Sequence, residues 1–138
     1  MKSISVICDG TRDISGVEQE SICIRWIDDN LKPQETFIGF YKTPATTGED
    51  IASLITDVLL KLQLPLEGLR GQTYDGAANM RGNKKDVQSI LIAKQPLADY
   101  IHCGAHCCNL IMKNVCDSSK EVVPYAMDLQ AFSNQRSS

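Results

Sequence analysis

Residues 51–62, Ile51-Ala52-Ser53-Leu54-Ile55-Thr56-Asp57-Val58-Leu59-Leu60-Lys61-Leu62, decide how the rest of the chain is read. Ile51, Leu54, Ile55, Val58, Leu59 and Leu62 recur at i, i+3, i+4, i+7, i+8 and i+11, one continuous apolar stripe on a 3.6-residue helix. The spacing predicts a helix laid on a core. Thr46 with Glu49, or Thr47 with Asp50, offers a capping box at its start, and Pro65 stops it. Upstream of this helix the periodicity is two. Ser3 to Cys8 is apolar and partly β-branched, and reads as a buried strand that stops at Asp9-Gly10-Thr11. Ser21 to Ile27 alternates, with Ile22, Ile24 and Trp26 on one face and Cys23, Arg25 and Ile27 on the other, before Asp28-Asp29-Asn30 turns the chain. Glu35 to Tyr41 reads as a third strand with Phe37 and Tyr41 on a shared face, and three strands joined by short turns form an antiparallel meander.

Downstream the pattern becomes strand and helix in alternation. Leu69 to Tyr74 reads as a strand ending at Asp75-Gly76, Val87, Ile90 and Leu91 mark a helix that stops before Pro96, and Tyr100 to His102 is a short strand. From Ala105, residues Cys108, Ile111, Met112 and Val115 have helical spacing. Val122, Tyr125, Ala126, Leu129 and Phe132 suggest a last helix, followed by a polar, frayed tail over 133–138. The predicted order is β-β-β-α-β-α-β-α, an α/β mixed sheet with helices on its faces.

At 138 residues the chain has room for one ordinary domain and excludes a multidomain enzyme. Its 43% apolar and 22% charged composition is that of a globular protein with a core, and disorder is not the default. A net charge of −3 lacks the basic surplus that drives counterion release, so tight autonomous binding to nucleic acid is not expected. No apolar stretch approaches the ~20 residues of a membrane span, so no membrane partner is expected. Of six cysteines, four (Cys103, Cys107, Cys108 and Cys116) crowd with both histidines into residues 102–116, unlike a dispersed disulfide framework. The start, Met1 to Asp9, meets a charge too soon for a secretion signal, and the thiols read as reduced and intracellular.

Two aspartates end strands: Asp9 after the first and Asp75 after the fourth. If those strands are neighbours, both carboxylates project into one crevice at the rim where α/β sheets bind ligands, and paired carboxylates suit hard cations such as Mg²⁺. The alternative is that each aspartate only caps the turn or helix after it. Cys103, His106 and Cys107 sit at i, i+3 and i+4, half of a zinc site whose other half is missing, with Cys116 the only later candidate; zinc is therefore not the expected cofactor. A Cys-His nucleophilic pair lacks an orienting Asn or Asp, and buried thiols are the simpler account. Arg81-Gly82-Asn83-Lys84-Lys85 is a small basic cluster that could meet a phosphate backbone or serve as a solvated helix start. Gly71, Gly76 and Gly82 form no phosphate loop.

Taken in order, Asp9-Gly10-Thr11-Arg12-Asp13-Ile14-Ser15, Glu18-Gln19, Leu69 to Met80 and Ile101 to Leu110 resemble the DUF4371 region of hAT-family transposases and of host proteins derived from them, such as the zinc finger MYM-type proteins. The resemblance covers nearly the whole chain. It implies a ribonuclease H-like fold, Asp-Asp-Glu catalysis with Mg²⁺ or Mn²⁺, DNA as the partner and a nuclear location. Asp9 corresponds to the first acid and Asp75 to the second, in an Asp-x-Ala-x-Asn setting that includes Asn79; Arg81, Lys84 and Lys85 follow nearby. Cys103 and His106 match the family's C-x-x-H motif near the site. The family's third acid is a Glu far downstream, after a helical insertion, and Glu121 and Asp128 belong to the terminal helical pattern instead. A BED-type zinc finger and a dimerisation segment are likewise absent. The implied protein is the first half of a catalytic domain, with little or no DNA cleavage of its own. Its truncated sheet face should be left apolar and open to self-association or to a protein partner.

Overall fold

The computed structural model describes residues 3–12, 16–43, 45, 47–74 and 86–118. The elements are β1 (Ile4–Arg12), β2 (Glu18–Ile27), β3 (Pro33–Lys42), α1 (Gly48–Lys61), a 3₁₀ turn (Leu66–Gly68), β4 (Leu69–Tyr74), α2 (Val87–Lys94), β5 (Asp99–His102) and α3 (Gly104–Ser118). The expected α/β order is found. The expected last helix around Val122 to Phe132 and the tail after it lie outside the described residues. The chain divides into two compact units, Met1–His102 and Cys103–Ser138, the first holding the sheet and the second holding α3.

The sheet has the order β3-β2-β1-β4-β5. β1 pairs antiparallel with β2, and β2 with β3, while β1–β4 and β4–β5 are parallel. A meander of short turns produces the antiparallel half; the parallel half requires crossovers, which carry α1 and α2. The β2–β3 turn closes on Asp28, whose Oδ1 accepts from the backbone N–H of Asn30 and of Lys32, each at 2.9 Å. Leu31 takes up the left-handed conformation there, with φ of 60°.

Pairing register sorts the side chains. Ile4, Val6 and Cys8 share a face with Trp26, Ile24 and Ile22, and this face forms the core with Ile51, Ala52, Ile55, Val58 and Leu59 of α1 and Val87 and Leu91 of α2. The apolar stripe read from residues 51–62 is thus the buried stripe, with Leu54 half-buried against the core and Leu62 exposed beyond the helix end. Of the two capping boxes, Thr47 with Asp50 is used, because the Thr47 hydroxyl accepts from the Asp50 N–H at 3.2 Å. Asp86 caps α2 in the same way, accepting from the Ser89 N–H at 2.6 Å.

Three sequence expectations are corrected. The first strand does not stop at Asp9 but runs on to Arg12, because β2 keeps pairing with it as far as Glu18. Phe37 and Tyr41 do not share a face. Ile22 pairs with Gly39 and Cys23 with Phe37, so the intervening Ile38 is an extra residue that inverts the alternation. Tyr41 therefore packs on the core, while Phe37 stands exposed with its ring 5.1 Å from that of Phe40, edge to face. Finally, α1 and α2 pack against each other and the same core face, so within the first unit the described helices lie on one face and not on both.

Candidate functional site

The parallel pairing of β1 with β4 carries their carboxyl ends to one rim. The described register runs from Ile4–Leu69 to Ile7–Thr73, and Asp9 lies two residues past its end. Asp9 pairs with Ser21 on β2, so its side chain belongs to the face opposite the helices, where it is exposed. The Ser21 hydroxyl donates to the Asp9 carbonyl at 3.0 Å. Asp75 follows Tyr74 directly in sequence; it lies outside the described residues, as do Asn79, Arg81, Lys84 and Lys85.

On the helix-covered side of the same rim is a cluster that periodicity did not reveal. Cys8 and Glu20 are buried, and the Cys8 thiol donates to Glu20 Oε2 at 3.3 Å. Tyr74 is fully buried and donates its hydroxyl to Gln72 Oε1 at 2.7 Å, while Gln72 Nε2 donates to the Ala98 carbonyl at 2.7 Å. Tyr100 stacks on Tyr74 with ring centres 5.9 Å apart, and its hydroxyl is 2.7 Å from Nδ1 of His102. Burial, then the neighbouring Cys8, Tyr100 and Asp86, hold the Tyr74 phenol well above the ordinary tyrosine range. The signals were present in sequence, since Glu20 keeps the phase of Ile22 and Ile24, and Gln72 that of Tyr74. A polar residue in the buried phase of a strand has to find an internal partner. Across the second face the Cys23 thiol is also raised, by burial and by the Glu35 carboxylate.

The cysteine-rich segment belongs to the second unit. The Cys107 N–H donates to the Cys103 carbonyl at 3.0 Å, which opens the first turn of α3. Cys103 and Cys107 are half-buried free thiols and Cys108 is an exposed one, so the expectation of buried thiols is corrected for this helix start. Farther along α3 the apolar side chains of Leu110, Ile111, Met112 and Val115 are exposed. Among the described residues no group of three or more His, Cys, Asp or Glu side chains is arranged to hold a metal ion. A separate apolar groove of about 320 Å³ opens at the opposite rim, where Ile4, Ile24, Trp26, Ile38, Leu62 and Leu64 line it.

The fold defines an α/β domain with a mixed five-stranded sheet, exposing Asp9 near the rim shared by β1 and β4, and comparison with known families gives its class. Residues 1–85 match DUF4371, described as the ZMYM1/FAM200 RNase-like domain, and the chain belongs to that family. Among curated proteins it is similar to the 52 kDa repressor of the inhibitor of the protein kinase, at 32% identity over 101 residues for Mus musculus and 31% over 106 for Homo sapiens. These matches take in 73% and 77% of this chain but span only 13% and 14% of those proteins. Among solved structures, LC11-RNase H1 in complex with an RNA/DNA hybrid is similar at 14% identity with a TM-score of 0.34, over 73% of this chain and 85% of that one. Among the described residues no helix is long and apolar enough to cross a membrane.

Proposed function

We propose that this chain is a ribonuclease H-like domain of hAT-transposase descent, in which Asp9 and Asp75 are inherited ligands for Mg²⁺ or Mn²⁺ and DNA is the ancestral partner. One observation carries the reading: β1 and β4 are parallel neighbours, and Asp9 stands exposed two residues past their described pairing. Asp75 is next in sequence after the last residue of β4. Asp9 offers hard carboxylate oxygen at a solvent-accessible rim, the donor type these cations take. When bound, a cation pair stabilises the attacking and leaving oxygens of phosphoryl transfer. Asp9 contributes a ligand held by its backbone tie to Ser21. Descent from a transposase also makes the nucleus its working compartment.

Mn²⁺ titration of the chain followed by electron paramagnetic resonance tests this. Binding should weaken on Asp9→Asn and on Asp75→Asn. Loss of the reading follows if wild-type protein binds no Mn²⁺ or if neither substitution changes the affinity.

A second reading is a non-enzymatic protein-interaction module of a domesticated transposase. It is favoured by Ile27, Phe37, Phe40 and Ile101, each more than half exposed on the face that α1 and α2 leave uncovered. Under it, Asp9→Asn and Asp75→Asn leave every binding property unchanged, while Phe37→Ser with Phe40→Ser reduces association.

A further inference from the structure

Asp9 lies two residues beyond the described pairing of β1 with β4, on a stretch of β1 that β2 holds from its other side. There one dipeptide of β2, Glu20-Ser21, grips three consecutive residues of β1. Glu20 is 2% exposed and accepts the Cys8 thiol at 3.3 Å through Oε2. The same carboxylate lies over Gly10, so closely that a Cβ added there would stand 3.2 Å from Oε1 and 3.5 Å from Oε2. Ser21, on the opposite face, ties down the Asp9 carbonyl at 3.0 Å. Both chain neighbours of Asp9 are thereby fixed from the helix-covered side while Asp9 itself is directed to the other.

We infer that Glu20 is a positioning residue for Asp9: its buried carboxylate, seated on Cys8 and against Gly10, holds the strand so that Asp9 meets a cation at the rim with its backbone already ordered. This rests on the reading of Asp9 as a cation ligand and is independent of the role given to Asp75. The physical basis is that a ligand on a loose strand must be ordered at the moment of binding, which subtracts from affinity; partners bonded directly to a metal's ligands typically contribute 10–100-fold, and Glu20, acting through the backbone on either side of Asp9, is expected at the lower end of that range. Glu20 makes this contribution without touching the ion. A side chain at Gly10 would crowd the Glu20 carboxylate and oblige it to give by a few tenths of an ångström.

The test uses the full 138-residue chain with Gly10→Ala, Glu20→Ala and Glu20→Gln, each followed by Mn²⁺ titration and by far-ultraviolet circular dichroism with thermal melting. Gly10→Ala displaces the carboxylate without emptying the core, and should weaken Mn²⁺ binding about 10-fold while the spectrum stays that of the wild type. Glu20→Ala should weaken it at least as much. Glu20→Gln keeps the shape and an acceptor for the Cys8 thiol, and should restore wild-type affinity. If Glu20→Ala does not fold, Gly10→Ala decides. Wild-type affinity in Gly10→Ala overturns the positioning role and leaves the cation reading standing. An equal loss in Glu20→Gln and Glu20→Ala also overturns it, because charge and not placement would then be responsible. A wild-type chain that binds no Mn²⁺ removes both.

Discussion

Gly71→Ala tests the junction on which the functional reading depends. Gly71 of β4 pairs with Ser5 of β1, and a Cβ at position 71 would lie 2.6 Å from Ser5 Oγ and 3.1 Å from Ser5 Cβ. The hydroxyl can rotate away, but the Ser5 Cβ is fixed to its strand, so the two strands themselves must give. Overpacking of this kind costs about 1–3 kcal/mol. Alanine regains roughly 0.5–1 kcal/mol of the backbone entropy that glycine loses in a strand, leaving a net destabilisation of roughly 0–2.5 kcal/mol and about 1 kcal/mol at mid-range. For a unit of this size that is a fall in melting temperature of about 4–8 °C per kcal/mol. Ser5→Gly removes both opposing atoms, so the double variant should recover most of the loss, and a double-mutant cycle should return a coupling of about 1 kcal/mol or more. Thermal and urea unfolding of the four proteins by circular dichroism supplies the measurement. Strictly additive losses would refute the pairing of Ser5 with Gly71, and with it the common rim for Asp9 and the end of β4.

Two further outcomes follow from packing and titration. Ile55→Ala, at a fully buried position on α1, should cost about 2–5 kcal/mol, whereas Leu60→Ala on the same helix, 74% exposed, should stay within about 0.5 kcal/mol; similar losses at both would contradict the assigned helix face. Tyr74 has a raised folded-state pKa, so in alkali the unfolded chain releases this proton before the folded one does. Its contribution is complete below the ordinary tyrosine value of about 10 and is lost as pH rises from there toward the higher folded value. Urea midpoints taken between neutral pH and strong alkali should therefore fall less steeply for Tyr74→Phe than for wild type, although Tyr74→Phe starts lower for want of its bond to Gln72.

Local signals made much of the first unit legible. The stripe on α1, the two-residue alternation of β2 and the turn at Asp28 all depend on near neighbours in sequence, and residues 51–62, 21–27 and 28–30 carried them. The extra residue at Ile38 was not legible, because a bulge exists only relative to the strand it faces, and Phe37 and Tyr41 look equivalent until Gly39 and Cys23 take their places. The end of β1 was misread for a related reason: Asp9-Gly10 is a turn signal in isolation, yet β2 keeps pairing with it. Glu20 shows the same limit at the site. The strand read from alternation begins at Ser21 and leaves Glu20 out, and only the fold reveals that it seats on Cys8 and Gly10 beside Asp9.

Composition and periodicity by themselves established an α/β chain, its element order and the buried face of its longest sheet-covering helix, and they singled out Asp9 as a candidate while placing it wrongly at the end of its strand. Those properties follow from side-chain spacing, which the chain carries with it. The tertiary structure alone decided which strands lie side by side, that β1 and β4 run parallel, which face Asp9 takes, and what clamps its backbone. Contacts between residues some sixty positions apart are set by how whole elements pack, and no local pattern encodes their register.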